Sequence, residues 1–206
     1  MSIITHGIYI RGFIMFGYLK QDITKIQKKL SKKLSESRYQ HSLGVAYTAA
    51  SLAMRYEADM EKALLAGMLH DCAKYMTPDE MLKMALNKKI EISEVERMKP
   101  DLLHAKLGSY FAIKKYHVKD KEINEAIICH TTGKPDMTLL EKIIYVADYI
   151  EPSRYKMPRL KELRKMAFVD IDKCLIMILE DTVKYLEESG LYIDDNTKKT
   201  YDFYKK

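Results

Sequence analysis

The stretch "LLAGMLHDCAK", Leu64 to Lys74, decides how the rest of the chain is read. An apolar helix with almost no charge ends in a histidine, an aspartate and, three residues on, a lysine. Taken by itself, the dipeptide is a helix terminus reaching water, with His70 and Asp71 solvated. The other use of such a pair is to converge with similar groups from other helices. The choice between the two rests on what surrounds them.

Those surroundings read as helices throughout, since strand-like alternation is scarce and helical spacing recurs. From Ser42 to Tyr56, the residues Leu43, Val45, Ala46, Ala49, Leu52 and Ala53 keep that spacing. "TPDEMLKMAL" opens with Thr77, Pro78 and Glu80, which predicts a capping box with proline in the first turn. In "PDLLHAKLGSYFAIKKY" the stripe is Leu103, Leu107, Tyr110 and Lys114. Thr138 and Glu141 repeat the capping box ahead of "LLEKIIYVADYI", which Pro152 closes. The longest run aligns Ile171, Leu175, Ile178, Thr182 and Leu186, starts at Asp170 or Asp172 and stops at Gly190. The expected fold is all-α: a single helical bundle of about eight to ten helices with short connections.

Composition fits that expectation. The chain has 206 residues, 47% hydrophobic and 31% charged, enough for one domain with a sizeable core. Cys72, Cys129 and Cys174 are far apart, with no CxxC, which argues against a disulfide framework and a thiolate zinc site and points to a reducing, cytoplasmic setting. Residues 1–20, "MSIITHGIYIRGFIMFGYLK", are read as an N-terminal extension, with Met15 an alternative start, and 21–206 as the domain. The apolar part of that extension is interrupted by Arg11 and two glycines, too short and broken for a membrane span. The net charge of +6 comes from scattered lysines without interleaved aromatics or an arginine-rich stripe, a pattern that reads first as a solvated face and second as an attraction for phosphates, with nucleic acid disfavoured.

His41 precedes Val45 by one helical turn and shares its inward face, and Asp148 falls with Ile144 and Tyr145. A buried carboxylate needs a cation or hydrogen bonds to offset its desolvation. His41, His70, Asp71 and Asp148 together would meet that need by holding a divalent metal: iron, manganese, cobalt, nickel or zinc rather than calcium. Spacing alone leaves open whether they meet.

The order His41, His70-Asp71, Asp148 resembles the H…HD…D pattern of the HD superfamily of metal-dependent phosphohydrolases. "RYQHSLGVAYTAASLAMRY", "LLAGMLHDCAKYM", "ICHTTGKPDMTLLEKIIYVADYIEPSR" and "LEESG" together look like the HD-domain symmetrical diadenosine tetraphosphatases, over about residues 35–204. That resemblance implies an HD-domain bundle with a metal, usually iron, held by His41, His70, Asp71 and Asp148. It implies hydrolysis of diadenosine tetraphosphate to two ADP by a metal-held water, which loses its proton far more readily than bulk water. The family's nucleotide contacts fall on Arg38, Lys74, His104, His130, Thr131 and Arg154, and on the stretch Ser189, Gly190 to Asp194. Asp71, Lys74, His104 and His130 are the expected catalytic groups. His104 and His130 would donate to phosphate oxygens or protonate the departing ADP, or His130 would help hold a second metal. The family also offers precedent for a homodimer.

The chain departs from the family after its "SG" turn, where "LYIDDNT" replaces an isoleucine-histidine-proline stretch, so the contacts implied at Ser189–Asp194 fall on an altered loop. Cys72, Tyr145 and Tyr149 read as packing, and His6 and His117 as surface residues. Two other functions were weighed. One is an HD phosphohydrolase of nucleoside triphosphates, cyclic nucleotides or guanosine tetraphosphate; Lys74 and Tyr75, where alarmone hydrolases carry Glu-Asp, speak against the last. The other is a nucleotide- or RNA-associated binding module with little turnover.

Overall fold

The computed structural model describes residues 23–206, so the expected extension at 1–20 lies outside the described residues. Eleven α-helices and a 3-10 turn follow one another, with no strand among the described residues. Helix α1 is described over 23–31. Then come α2 Glu36–Arg55, α3 Met60–Leu69, α4 Pro78–Asn87, α5 Glu94–Met98, the 3-10 turn Pro100–Leu103 and α6 His104–Lys115. α7 Lys121–Cys129, α8 Leu139–Ile150, α9 Leu160–Met166, α10 Ile171–Glu188 and α11 Asp195–Tyr204 complete the chain.

The helix count exceeds the expected eight to ten because α5 and α9, of five and seven residues, are too short to carry a full apolar period. The caps fall where the side chains allow. Thr77 and Thr138 each close a capping box, with Glu80 and Glu141. Asp170 caps α10, and Gly190 turns the chain beyond it at φ +62°. The first long helix starts earlier than its apolar pattern, at Glu36, because the Ser35 side chain accepts from the amide of Arg38. On α6 the expected stripe is displaced: Leu103 and Leu107 are buried, but Lys114 is exposed, and Phe111 and Ala112 fill the core instead.

Helix α8 is the axis of the core. Leu140, Ile143, Ile144, Tyr145, Val146, Ala147 and Ile150 are all buried, around nearly its whole circumference. α2 and α3 pack against it and against each other through small residues. A Cβ on Gly67 would sit 2.8 Å from the Ala46 Cα, so the two backbones nearly touch. α6, α7 and α10 enclose the rest. Cys72, Cys129 and Cys174 are buried free thiols, as expected of packing residues. No helix among the described residues is long and apolar enough to cross a membrane.

Candidate metal centre

The doublet that opened the question is not solvated: His70 is 0% and Asp71 3% exposed. α3 ends at Leu69, and His70 and Asp71 sit on the turn that leaves it, inside the core. The Nδ1–H of His70 donates to the Gly67 carbonyl at 2.7 Å, which leaves its Nε2 bare and aimed inward. That nitrogen faces the Nε2 of His41, from α2, at 3.2 Å. Asp148, from α8, brings Oδ1 to 3.0 Å from His41 Nε2 and 3.7 Å from His70 Nε2. Asp71 Oδ2 lies 3.9 and 3.7 Å from the same two nitrogens. The four residues named from sequence thus converge.

A second set adjoins the first. His104, at the start of α6, and His130, at the end of α7, face each other Nε2 to Nε2 at 3.1 Å. The Nδ1–H of His130 donates to the Ile127 carbonyl at 2.6 Å, and that of His104 to the Asp101 carbonyl. Asp71 serves both sets: its Oδ1 is 3.4 Å from His104 Nε2 and 3.8 Å from His130 Nε2. The Thr131 hydroxyl lies 3.2 and 3.1 Å from the same nitrogens.

Such an arrangement conflicts with itself unless positive charge is present. Neutral rings that donate through Nδ1 point lone pairs at each other across about 3 Å, and a single threonine proton satisfies only one of them. His41 can relieve its half by charging. Burial lowers its pKa, but the contacts with Asp148 and Glu151 outweigh that, and it stands above its ordinary value. His70 and His104 cannot follow. Burial pushes His70 down to about 4 and His104 to about 3, and the proximity of His130 adds to the second. Burial would raise Asp71 and Asp148, but the surrounding histidines hold both below the usual carboxylate range. Bare imidazole nitrogens and ionised carboxylates around one point are the donor set of a divalent transition metal. Three overlapping groups, His41-His70-Asp71, His70-His130-Asp148 and Asp71-His104-His130, each have ligand atoms within 4.8 Å of one another. The residues present fit the ion.

Sequence reasoning missed Glu151. It is fully buried and accepts from His41 Nδ1 at 3.0 Å, from the Ser153 amide at 2.7 Å and from the Ser153 hydroxyl. A carboxylate behind a ligating histidine fixes its tautomer and ring plane. Gly44 makes room for it, since a Cβ there would lie 2.5 Å from Glu151 Oε2. The only sequence signal was an acidic residue between helix end and proline, in "IEPSR".

The basic residues bracket the cluster. Arg38 bonds Asp71 Oδ2 at 3.1 Å, and Arg154 bonds Asp148 Oδ1 at 2.7 Å. Lys74 is half-buried, close enough for its charge to act on His104. Asp194 shares a cavity of about 220 Å³ with Thr131. Ser189 and Gly190 are exposed at the end of α10 and make no hydrogen bond to the cluster.

Comparison with known proteins agrees with this architecture. Residues 38–153 match the family model described as HD domain. A Bacillus subtilis protein named "Bis(5'-nucleosyl)-tetraphosphatase, symmetrical" is 39% identical over 174 residues, 84% of this chain and 92% of that one. A Staphylococcus aureus protein of the same name is 35% identical, covering 89% of this chain and 94% of its own. The crystal structure of a predicted HD superfamily hydrolase involved in NAD metabolism, from Clostridium acetobutylicum, is 40% identical, with a TM-score of 0.85 over 88% of this chain and 96% of that one.

Proposed function

The chain belongs to the HD domain family, and on that premise we propose that it is a metal-dependent hydrolase cutting diadenosine tetraphosphate symmetrically into two ADP. The observation that carries the reading is the convergence of His41, His70, Asp71 and Asp148 on one point, with Arg38, Lys74 and Arg154 around it. Relatives named for this activity align over nearly their whole length.

When bound, a divalent cation supplies Lewis acidity toward a phosphoryl oxygen and makes water more acidic. The chain's own residues do the rest. His41, His70, Asp71 and Asp148 hold the ion, and Glu151 and the Gly67 carbonyl fix the two imidazoles. Arg38 and Arg154 now bond ligand carboxylates; with a cation neutralising those, their guanidinium groups are free to hold the phosphates as forked donors. Lys74 adds a compact charge for another phosphate, and the Thr131 hydroxyl a further donor. Water adds at one of the two central phosphorus atoms and the bridging oxygen leaves with the second ADP. Positioning and charge stabilisation are the main protein contributions to such a transfer.

The tautomers favour a second reading of His104 and His130. With Nδ1 donating to carbonyls, each Nε2 is an acceptor, so donation to a phosphate would require an imidazolium that burial opposes at His104. Together with Asp71 Oδ1 they suit a second cation. Metal-to-protein stoichiometry separates the two roles: His104→Ala lowers it only if that residue is a ligand.

Incubation of the metal-loaded protein with diadenosine tetraphosphate should give ADP alone. ATP plus AMP would overturn the symmetric cut. Asp148→Ala should lose metal and turnover while keeping its helical spectrum. Iron as the native ion, a homodimer and the contacts at Ser189, Gly190 and Asp194 follow from the family resemblance, and a cytoplasmic location from the unpaired, scattered cysteines. Metal analysis and the mass in solution check the ion and the assembly.

A further inference from the structure

The apolar stripe of α10 does not end in the core. Ile171, Leu175 and Ile178 are buried, but Thr182 and Leu186 emerge half-buried into a cavity of about 670 Å³, closed by Tyr149, Met157, Pro158 and Tyr185. Its size is that of a small-molecule site, roughly 300–1,000 Å³. A neighbouring cavity of about 310 Å³ is lined by Arg38, His41, Ser153 and Arg154 and opens on the metal centre. Lys156 and Met157 line both, so the two adjoin along that segment. Tyr149 directly follows the ligand Asp148.

Charge and apolarity are thus laid out in series: two guanidinium groups at the His41 end of the centre, then a lysine, then two tyrosines, a thioether and a proline ring. That is the order of a nucleotide read from its phosphates outward. Two acidic residues stand on the wall: Asp181 is neutralised by a forked pair of bonds from Arg159 at 2.6 and 3.1 Å, and Glu188 is paired with Lys184 at 3.9 Å. Tyr185 is 62% exposed, a large ring left uncovered at the mouth of an apolar space. None of the residues lining the cavity of about 670 Å³ is among the contacts implied by the family resemblance; of those, Arg38 and Arg154 line its smaller neighbour, and Thr131 and Asp194 a third cavity at the His104–His130 end.

We propose that the Tyr149–Tyr185 cavity seats the nucleoside of one half of the dinucleoside substrate, with Lys156 at its entrance holding a phosphate of that half. The other half extends from the opposite end of the centre, past Thr131. Midpoint cleavage then follows from the centre's place between two seats. This inference rests on the hydrolase reading above.

The test is the Tyr185→Ala variant of the full-length, metal-loaded protein, compared with wild type on diadenosine tetraphosphate. Loss of one base-stacking surface predicts a KM raised roughly tenfold with kcat retained. Inorganic tripolyphosphate, which has no nucleoside, should inhibit variant and wild type equally. An unchanged KM overturns the proposal. So does a parallel weakening of substrate and tripolyphosphate, which would place the damage in the phosphate path. Wild-type protein that leaves diadenosine tetraphosphate intact overturns the hydrolase reading itself, and with it the assignment of an occupant.

Discussion

Glu151 shows how much a single side chain governs here. It accepts three hydrogen bonds in a fully buried position, and one of them sets the ring of His41. Glu151→Gln keeps the shape but removes the charge. Losing such a partner typically costs 10- to 100-fold in metal affinity, so chelator competition should show a drop of that order with the melting profile of a folded protein. Gly44→Ala should act on the same target, by pushing the carboxylate from its seat. At this scale the convergence of His41, His70, Asp71 and Asp148 was legible because histidine and aspartate on inward helix faces have few other uses. Glu151 was not, because a glutamate before Pro152 reads as a charge at a helix end, and its seat is made by His41 and Gly44 from a distant part of the chain.

Helices were legible where chemistry at their ends is local. The threonine-glutamate boxes at Thr77 and Thr138 and the aspartate at Asp170 each sit within a few residues of what they cap. The close crossing of α2 over α3 was not legible, because nothing in "LLAGML" states that Gly67 meets the backbone of Ala46 rather than open space. That contact is also what brings His41 to His70. Gly67→Ala would place a methyl 2.8 Å from a backbone carbon that cannot rotate away. Overpacking of this kind costs about 1–3 kcal/mol. The expected result is a lower melting temperature accompanied by weaker metal binding, since separating the helices separates the ligands.

For the whole molecule, the sequence reading reached one all-α core but not the mutual arrangement of its faces, which arises from contacts between residues as distant as His41 and Glu151. The assembled cluster makes the metal-free protein sensitive to pH. His70 and His104 ionise near 4 and 3 in the fold, against 6.5 for an ordinary histidine. Below 6.5 the unfolded chain therefore takes up protons that the fold refuses, and stability falls as pH falls toward 4. His41 is raised above 6.5, so its contribution is complete below that value and is lost as pH rises through its folded pKa. The melting temperature of chelated protein should accordingly peak near pH 6.5 and decline on both sides; a flat profile from pH 4 to 8 would contradict the placement of these rings.

Two of the rings proposed to hold metal are also the final fastening of their own helices: His70 holds the Gly67 carbonyl and His130 the Ile127 carbonyl. Fraying at either end must turn a ring away, and an ion gripping the ring must hold the helix end shut. Ion loss and local opening are therefore one event. Amide hydrogen exchange should show it, with slow exchange around residues 67–72 and 127–132 in the loaded protein giving way to rapid exchange there on chelation, while the middle of α8 stays protected.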